Sequence, residues 1–180
     1  YTYMIMVGAE GLRKIAEYAV LNANYILANV RDTYHVPYDR ICMHEFVAEG
    51  QWKEAPDIHA LDIAKRLMDY DFHPPTNYFP LIVHEALMIE PTESESLQEL
   101  NRFIEAMKSI RVEIDEVKEG KADKDDNVLH NAPHTVRVVT ANEWSHIYDR
   151  QKAAFPAPWI VENKFWPSIG RIDDGYGDRN

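Results

Sequence analysis

Eight histidines, at 35, 44, 59, 73, 84, 130, 134 and 146, are the first residues to test for chemistry. Imidazole is the commonest metal ligand and the natural proton carrier near neutral pH. Only His130 and His134 are four residues apart, and Pro133 between them breaks any shared helix. His44-Glu45 has no second histidine three residues on, so the zinc-protease pattern fails and no metal site is expected. The one cysteine, Cys42, sits in an apolar run and reads as a small buried hydrophobe rather than a nucleophile. There is no G-x-S-x-G elbow, and Gly8 and Gly11 match neither phosphate-loop pattern. His73-Pro74-Pro75-Thr76 is more informative. Two prolines fix a loop at low entropic cost, and a fixed loop can present His73 and Thr76 to an anionic ligand. A purely structural rigid corner explains the same residues. The acidic pairs Asp125-Asp126 and Asp173-Asp174 read as solvated charge.

Composition bounds the answer. The 180 residues are 46% hydrophobic, which excludes wholesale disorder and gives one domain's worth of core, with a tail. Lys and Arg number 19 against 30 Asp and Glu, a net charge of −11 that repels phosphate backbones; with no basic stripe, no nucleic-acid partner is expected. The apolar residues 1–7 are too few to span a bilayer and lack a signal peptide's flanks, so no membrane partner is expected. A single cysteine excludes an internal disulfide. The chain opens without an initiator methionine and closes on Gly177-Asp178-Arg179-Asn180, which reads as a piece of something longer.

The elements that must position these residues follow from periodicity. Residues 8–31 read as a helix, with Leu12, Ile15, Ala16, Ala19, Val20, Ala23, Ile26, Leu27 and Val30 at three- and four-residue spacing. Residues 41–47 read as a strand, and 58–70 as a helix capped by Asp57 with Leu61, Ala64, Leu67 and Met68 inward. Residues 78–83 and 86–90 read as short strands, the first demoted by Pro80 to an edge or irregular segment. Thr92 and Glu95 form a capping-box pattern opening a long amphipathic helix to about residue 117. Residues 119–126 read as a charged linker. Residues 127–180 hold Trp144, Trp159, Trp166, Pro133, Pro156, Pro158 and Pro167, and read as a wrapping C-terminal tail with a strand at 136–140 and a short helix near 149–154. The expected fold is α/β (α+β): a small mixed or antiparallel sheet flanked by helices over 1–118, the linker, then the tail. Such a sheet leaves one face partly apolar, as in a domain that packs on something else.

Several stretches then become recognisable in order. They include Gly8-Ala9-Glu10-Gly11-Leu12, Ala19-Val20-Leu21-Asn22-Ala23-Asn24-Tyr25, Met43-His44-Glu45-Phe46 and Asp62-Ile63-Ala64-Lys65-Arg66-Leu67. Phe72-His73-Pro74-Pro75-Thr76, Met88-Ile89-Glu90-Pro91-Thr92-Glu93-Ser94-Glu95, Pro133-His134, Phe165-Trp166-Pro167 and Tyr176-Gly177-Asp178-Arg179-Asn180 complete the set. Together they resemble the C-terminal part of the glycine dehydrogenase (decarboxylating) family, the P-protein of the glycine cleavage system, across essentially the whole chain.

The resemblance implies the C-terminal small domain of a fold-type I pyridoxal-phosphate enzyme. It implies glycine as substrate, a lipoylated H-protein as acceptor of the aminomethyl group, an N-terminal large domain of the same chain and a homodimeric parent. Bacterial cytoplasm and mitochondrial matrix both suit the family. None of the nine lysines has the Ser-x-His-Lys context associated with the family's cofactor lysine. That lysine is expected upstream of residue 1, so no catalytic residue and no bound pyridoxal phosphate are expected in this fragment, which would be inactive alone. Residue chemistry, rather than the resemblance, singles out His44, His73 and Thr76 as candidates for binding substrate or the lipoyl arm. One departure stands out: Val47-Ala48-Glu49-Gly50-Gln51-Trp52 replaces an expected run like Ile-Leu-Asp-Leu-Arg. Two other classes remain open: a free-standing binding module that docks a lipoyl carrier or another subunit, and a metal-binding protein.

Overall fold

A computed structural model of the chain describes residues 1–179; Asn180, which ends the last family-like stretch, lies outside the described residues. The chain forms two compact units. One comprises Tyr1–Gly50 and Pro75–Lys108, the other Gln51–Pro74 and the chain from Ser109 onward.

In the first unit, α1 (Thr2–Val30) is a 29-residue helix interrupted at Gly8. It begins six residues before the expected start. Its buried residues Ala23, Ile26, Leu27 and Val30 lie at i, i+3, i+4 and i+7, so the last turns carry the core face. Leu12, read as part of the same apolar stripe, is exposed. The strand expected over 41–47 is corrected to β1 (Phe46–Glu49). The reason is Asn24. Its Oδ1 accepts the Cys42 N–H at 3.0 Å and its Nδ2 donates to the Cys42 carbonyl at 2.8 Å, so a side chain occupies the backbone groups a strand partner would need. Replacing Asn24 with alanine is expected to cost about 1–3 kcal/mol, the usual cost of orphaning partly buried polar groups. Urea unfolding and faster labelling of Cys42 by a thiol reagent would show it; an unchanged midpoint and labelling rate would contradict it.

β2 (Thr76–Asn77) and β3 (Ala86–Ile89) complete a three-stranded antiparallel sheet in the order β1-β3-β2. Val47 pairs with Met88, which pairs with Thr76 across the sheet. Between β2 and β3 the chain is irregular, as Pro80 implies: Tyr78 has φ 66° and Val83 N–H closes a turn on the Pro80 carbonyl. The Tyr34 hydroxyl, buried, donates to the Met107 carbonyl at 2.8 Å.

α2 (Ala60–Asp69) belongs to the second unit. Its cap is His59 rather than Asp57, because the Asp62 carboxylate accepts the His59 N–H at 2.8 Å and closes the first turn. α3 (Leu97–Lys118) runs from the first unit into the second. It starts four residues later than the Thr92 box implies: the Ser96 hydroxyl accepts the Glu99 N–H, whereas Thr92 bonds Ser94. Leu97 and Val112, apolar residues of this helix, are exposed. Gly120, at φ 71°, terminates it, with its N–H on the Val117 carbonyl.

The strand expected at 136–140 is instead one helical turn, α4 (Val136–Val139). Thr135 caps it by accepting the Val138 N–H, Val136 and Val138 are partly exposed, and among the described residues the β-branched run has no strand partner. α5 (Arg150–Ala154), capped by the Asp149 carboxylate on Gln151 N–H, matches expectation. A 3-10 turn (Pro158–Ile160) and α6 (Asp174–Arg179) follow. The fold is therefore α/β of the α+β kind, with an antiparallel sheet. Among the described residues no helix is long and apolar enough to cross a membrane.

Candidate functional site

The three residues singled out from sequence are all exposed. His44 lies two residues before β1, with Nε2 3.8 Å from the Glu90 carboxylate. Thr76 lies on β2 in register with Met88, so His44 and Thr76 belong to the sheet-bearing unit. His73 belongs to the other unit. Cys42 is partly buried, and burial pushes its thiol pKa up, away from a reactive thiolate.

Side chains with stronger electrostatics converge in the second unit. Arg66 of α2 is fully buried, and all five of its N–H donors are used. Nε and Nη2 form a fork on Glu113 of α3 at 2.9 and 2.6 Å, and Nη1 donates to Asp69 at 3.0 Å. The remaining two reach the carbonyls of Ala153 and Lys152 at 3.1 and 2.9 Å. Burial opposes the guanidinium charge, but Glu113 and Asp69 outweigh it and hold the pKa above its usual range.

Asp69 in turn accepts the His134 backbone N–H and its ring Nδ1–H, both at 2.7 Å. Burial alone would raise the Asp69 pKa; the His134 hydrogen bonds and the Arg66 charge override it and hold the carboxyl below its ordinary value. His134 Nε2 lies 2.9 Å from the Tyr148 hydroxyl, whose pKa burial pushes up. Lys164, its side chain 2% exposed, donates to the Asp69 carbonyl at 2.6 Å and stands over the Trp166 ring; burial pulls its ammonium pKa down.

This network was missed from sequence, although a signal existed. Asp62, Arg66 and Asp69 repeat at four and three residues on α2, on the side where Ile63 and Leu67 are buried, and Glu113 sits between Ile110 and Ile114. Opposite charges on two apolar stripes mark a buried ion pair.

A cavity of about 280 Å³ opens in the same unit. Its lining includes Glu113, Glu116, Asp126, Tyr148, Asp149 and Lys152. Lys152 is ion-paired with Glu116, and Asp126 accepts from His146 Nδ1 at 2.7 Å. Among the described residues no group of three or more His, Cys, Asp or Glu is arranged to hold a metal ion.

The sequence matches the protein family described as "Glycine dehydrogenase, C-terminal domain" over residues 15–134. It is also 50% identical, over 185 aligned residues, to the glycine dehydrogenase (decarboxylating) of Bordetella avium (strain 197N), an alignment covering 100% of this chain. The chain belongs to the glycine dehydrogenase C-terminal domain family. It spans only about a fifth (19%) of the length of that curated relative.

Within this family's matched span fall α2, Glu113 and His134, and also His44, His73 and Thr76. Glycine dehydrogenases imply pyridoxal phosphate, and the second unit can be tested for it. The group needs a free amine to hold its aldehyde and a cationic or amide-lined cradle for its phosphate. The cavity is lined by five carboxylates against two lysines, Lys121 and Lys152, and both amines are ion-paired. The buried amine, Lys164, is spent on a backbone carbonyl. These residues do not fit the cofactor.

Proposed function

We propose that this chain is the C-terminal part of a pyridoxal-phosphate-dependent glycine dehydrogenase (decarboxylating), which releases carbon dioxide from glycine and passes the aminomethyl group to the lipoyl arm of an H-protein. The observation that carries this reading is the end-to-end match, at 50% identity, to an enzyme of that name. The cofactor, when bound, supplies the electron sink for the carbanion left by decarboxylation. On this reading the cofactor lysine and cradle belong to the part of the polypeptide outside this chain, in keeping with the acidic lining of the second unit's cavity.

What this chain contributes is enclosure and polar donors. The sheet-bearing unit exposes Ile41, Met43, Phe79, Leu81 and Ile82, each more than half accessible. A monomeric surface rarely leaves so many large apolar side chains open, so the reading has the large domain cover them and exclude water from the reacting centre. His44, His73 and Thr76 then supply hydrogen bonds to the glycine carboxylate or the lipoyl arm. The parent is a homodimer of the bacterial cytoplasm or mitochondrial matrix.

In the full polypeptide, alanine at His44, His73 or Thr76 is expected to lower kcat/KM for glycine–carbon dioxide exchange about 10–100-fold at one position or more, the worth of a hydrogen bond to a charged group. All three within twofold of the parent would remove these residues from the site. Exchange unaffected by deleting the whole 180-residue segment would favour the non-catalytic binding module instead.

A further inference from the structure

Residues 2–7 are a short helix set apart from the rest of α1 at Gly8, whose φ of 63° and ψ of −178° fall in a region essentially closed to L-residues other than glycine. Nothing lies within 4 Å of where a Gly8 Cβ would be, so the requirement there is backbone conformation alone. Gly11 is required for a different reason. A Cβ on it would come 2.9 Å from the Val7 Cβ, whereas Cβ atoms four apart in an unbroken helix are about 5–6 Å apart. The turn at Gly8 swings Val7 back against Gly11, and only a hydrogen there leaves room. Immediately beyond, Glu10 pairs with Arg13 and Lys14, and Arg13 with Glu17, so the bend is confined to residues 8–11.

The segment so turned is apolar on every side. Tyr3, Met4, Ile5 and Met6 are 53%, 60%, 68% and 78% exposed, and four successive residues at 100° steps cover the whole circumference. A helix apolar all round is a buried helix. We propose that Gly8 and Gly11 form a hinge that turns the helix of residues 2–7 aside and seats it in the remainder of the dehydrogenase polypeptide. The inference rests on the functional reading above, and the occupant follows from size and tethering. About four-fifths of the relative's length lies outside this chain, and a tethered partner competes at far higher effective concentration than a second copy.

The test is hydrogen exchange, read by mass spectrometry, on the full polypeptide. Amides of residues 4–7 should exchange roughly 100-fold or more slower than in an unstructured peptide. Gly8→Ala, which straightens the helix, and Gly11→Ala, which clashes with Val7, should each remove about tenfold or more of that protection while residues 20–30 keep theirs. Met4→Glu leaves both glycines in place and should do the same by charging the docked face, which covers a Gly8 variant that does not fold. Unprotected amides in the parent overturn the docking. Protection unchanged by Gly8→Ala and Gly11→Ala overturns the hinge, and protection unchanged by Met4→Glu overturns the docked face. A native polypeptide of only 20.9 kDa would overturn the functional reading and the occupant together, whereas a full-length, active enzyme with an unprotected helix overturns this inference alone.

Discussion

Arg66→Met is expected to cost about 3–5 kcal/mol of folding stability, the loss typical of removing one partner from a buried ion pair. The substitution keeps volume and helix propensity but strands two carboxylates. Glu113, 5% exposed, loses both bonds of its fork, and Asp69, fully buried, loses its cation. The carbonyls of Lys152 and Ala153 lose a donor at the same time. Against a typical total of about 5–15 kcal/mol, a loss of that size takes a large share of what holds the unit folded. Arg66→Lys should fall between parent and methionine, because an ammonium keeps the charge but has no planar fork and two fewer donors. Adding Glu113→Leu to Arg66→Met should recover part of the loss, which separates stranded charge from lost packing. All four tryptophans lie in this unit, so the urea midpoint of tryptophan fluorescence reads it directly. A midpoint unchanged by Arg66→Met would mean that water reaches the site and the pair is not buried.

Asp69→Asn should cost a similar amount, about 3–5 kcal/mol at neutral pH, and the cost should shrink in acid. Asp69 is ionised against Arg66 and accepts two hydrogen bonds from His134. Its folded pKa is lowered, so its contribution is complete above the unfolded carboxylate pKa of about 3.9 and disappears as pH falls through the folded value. The parent should lose stability from about pH 4 downward, and the asparagine variant should lack that part of the acid limb. Parent and variant therefore converge as pH drops. Urea midpoints at neutral pH and below the unfolded pKa are the measurement; a gap that stays constant would remove Asp69 from the acid response.

What the sequence could reveal depended on which force sets each feature. Ala23, Ile26, Leu27 and Val30 announce their face because hydrophobic periodicity is a local signal, and Asp149 announces α5 because a cap acts over two residues. Features set by distant side chains stayed hidden. The strand moves from 41–47 to Phe46–Glu49 because Asn24, some 18 residues away in sequence, holds Cys42. The Val136–Val139 turn defeats its β-branched composition because Thr135 caps it and no strand lies alongside. The buried charges were hidden by the rule that sends Arg, Asp and Glu to the surface, which fails where they satisfy one another. The family was legible for another reason: many short stretches in the right order identify it even though no single one carries its chemistry.

The decisive experiment is to isolate the native polypeptide that contains this chain and assay it for glycine–carbon dioxide exchange with pyridoxal phosphate and a lipoylated H-protein. The expected result is a polypeptide about five times the length of this chain, in which exchange needs both the cofactor and an intact C-terminal segment. A free 20.9 kDa protein without exchange activity would overturn the proposed function, as would a 180-residue chain that forms a saturable, borohydride-trappable adduct with the cofactor and catalyses exchange by itself.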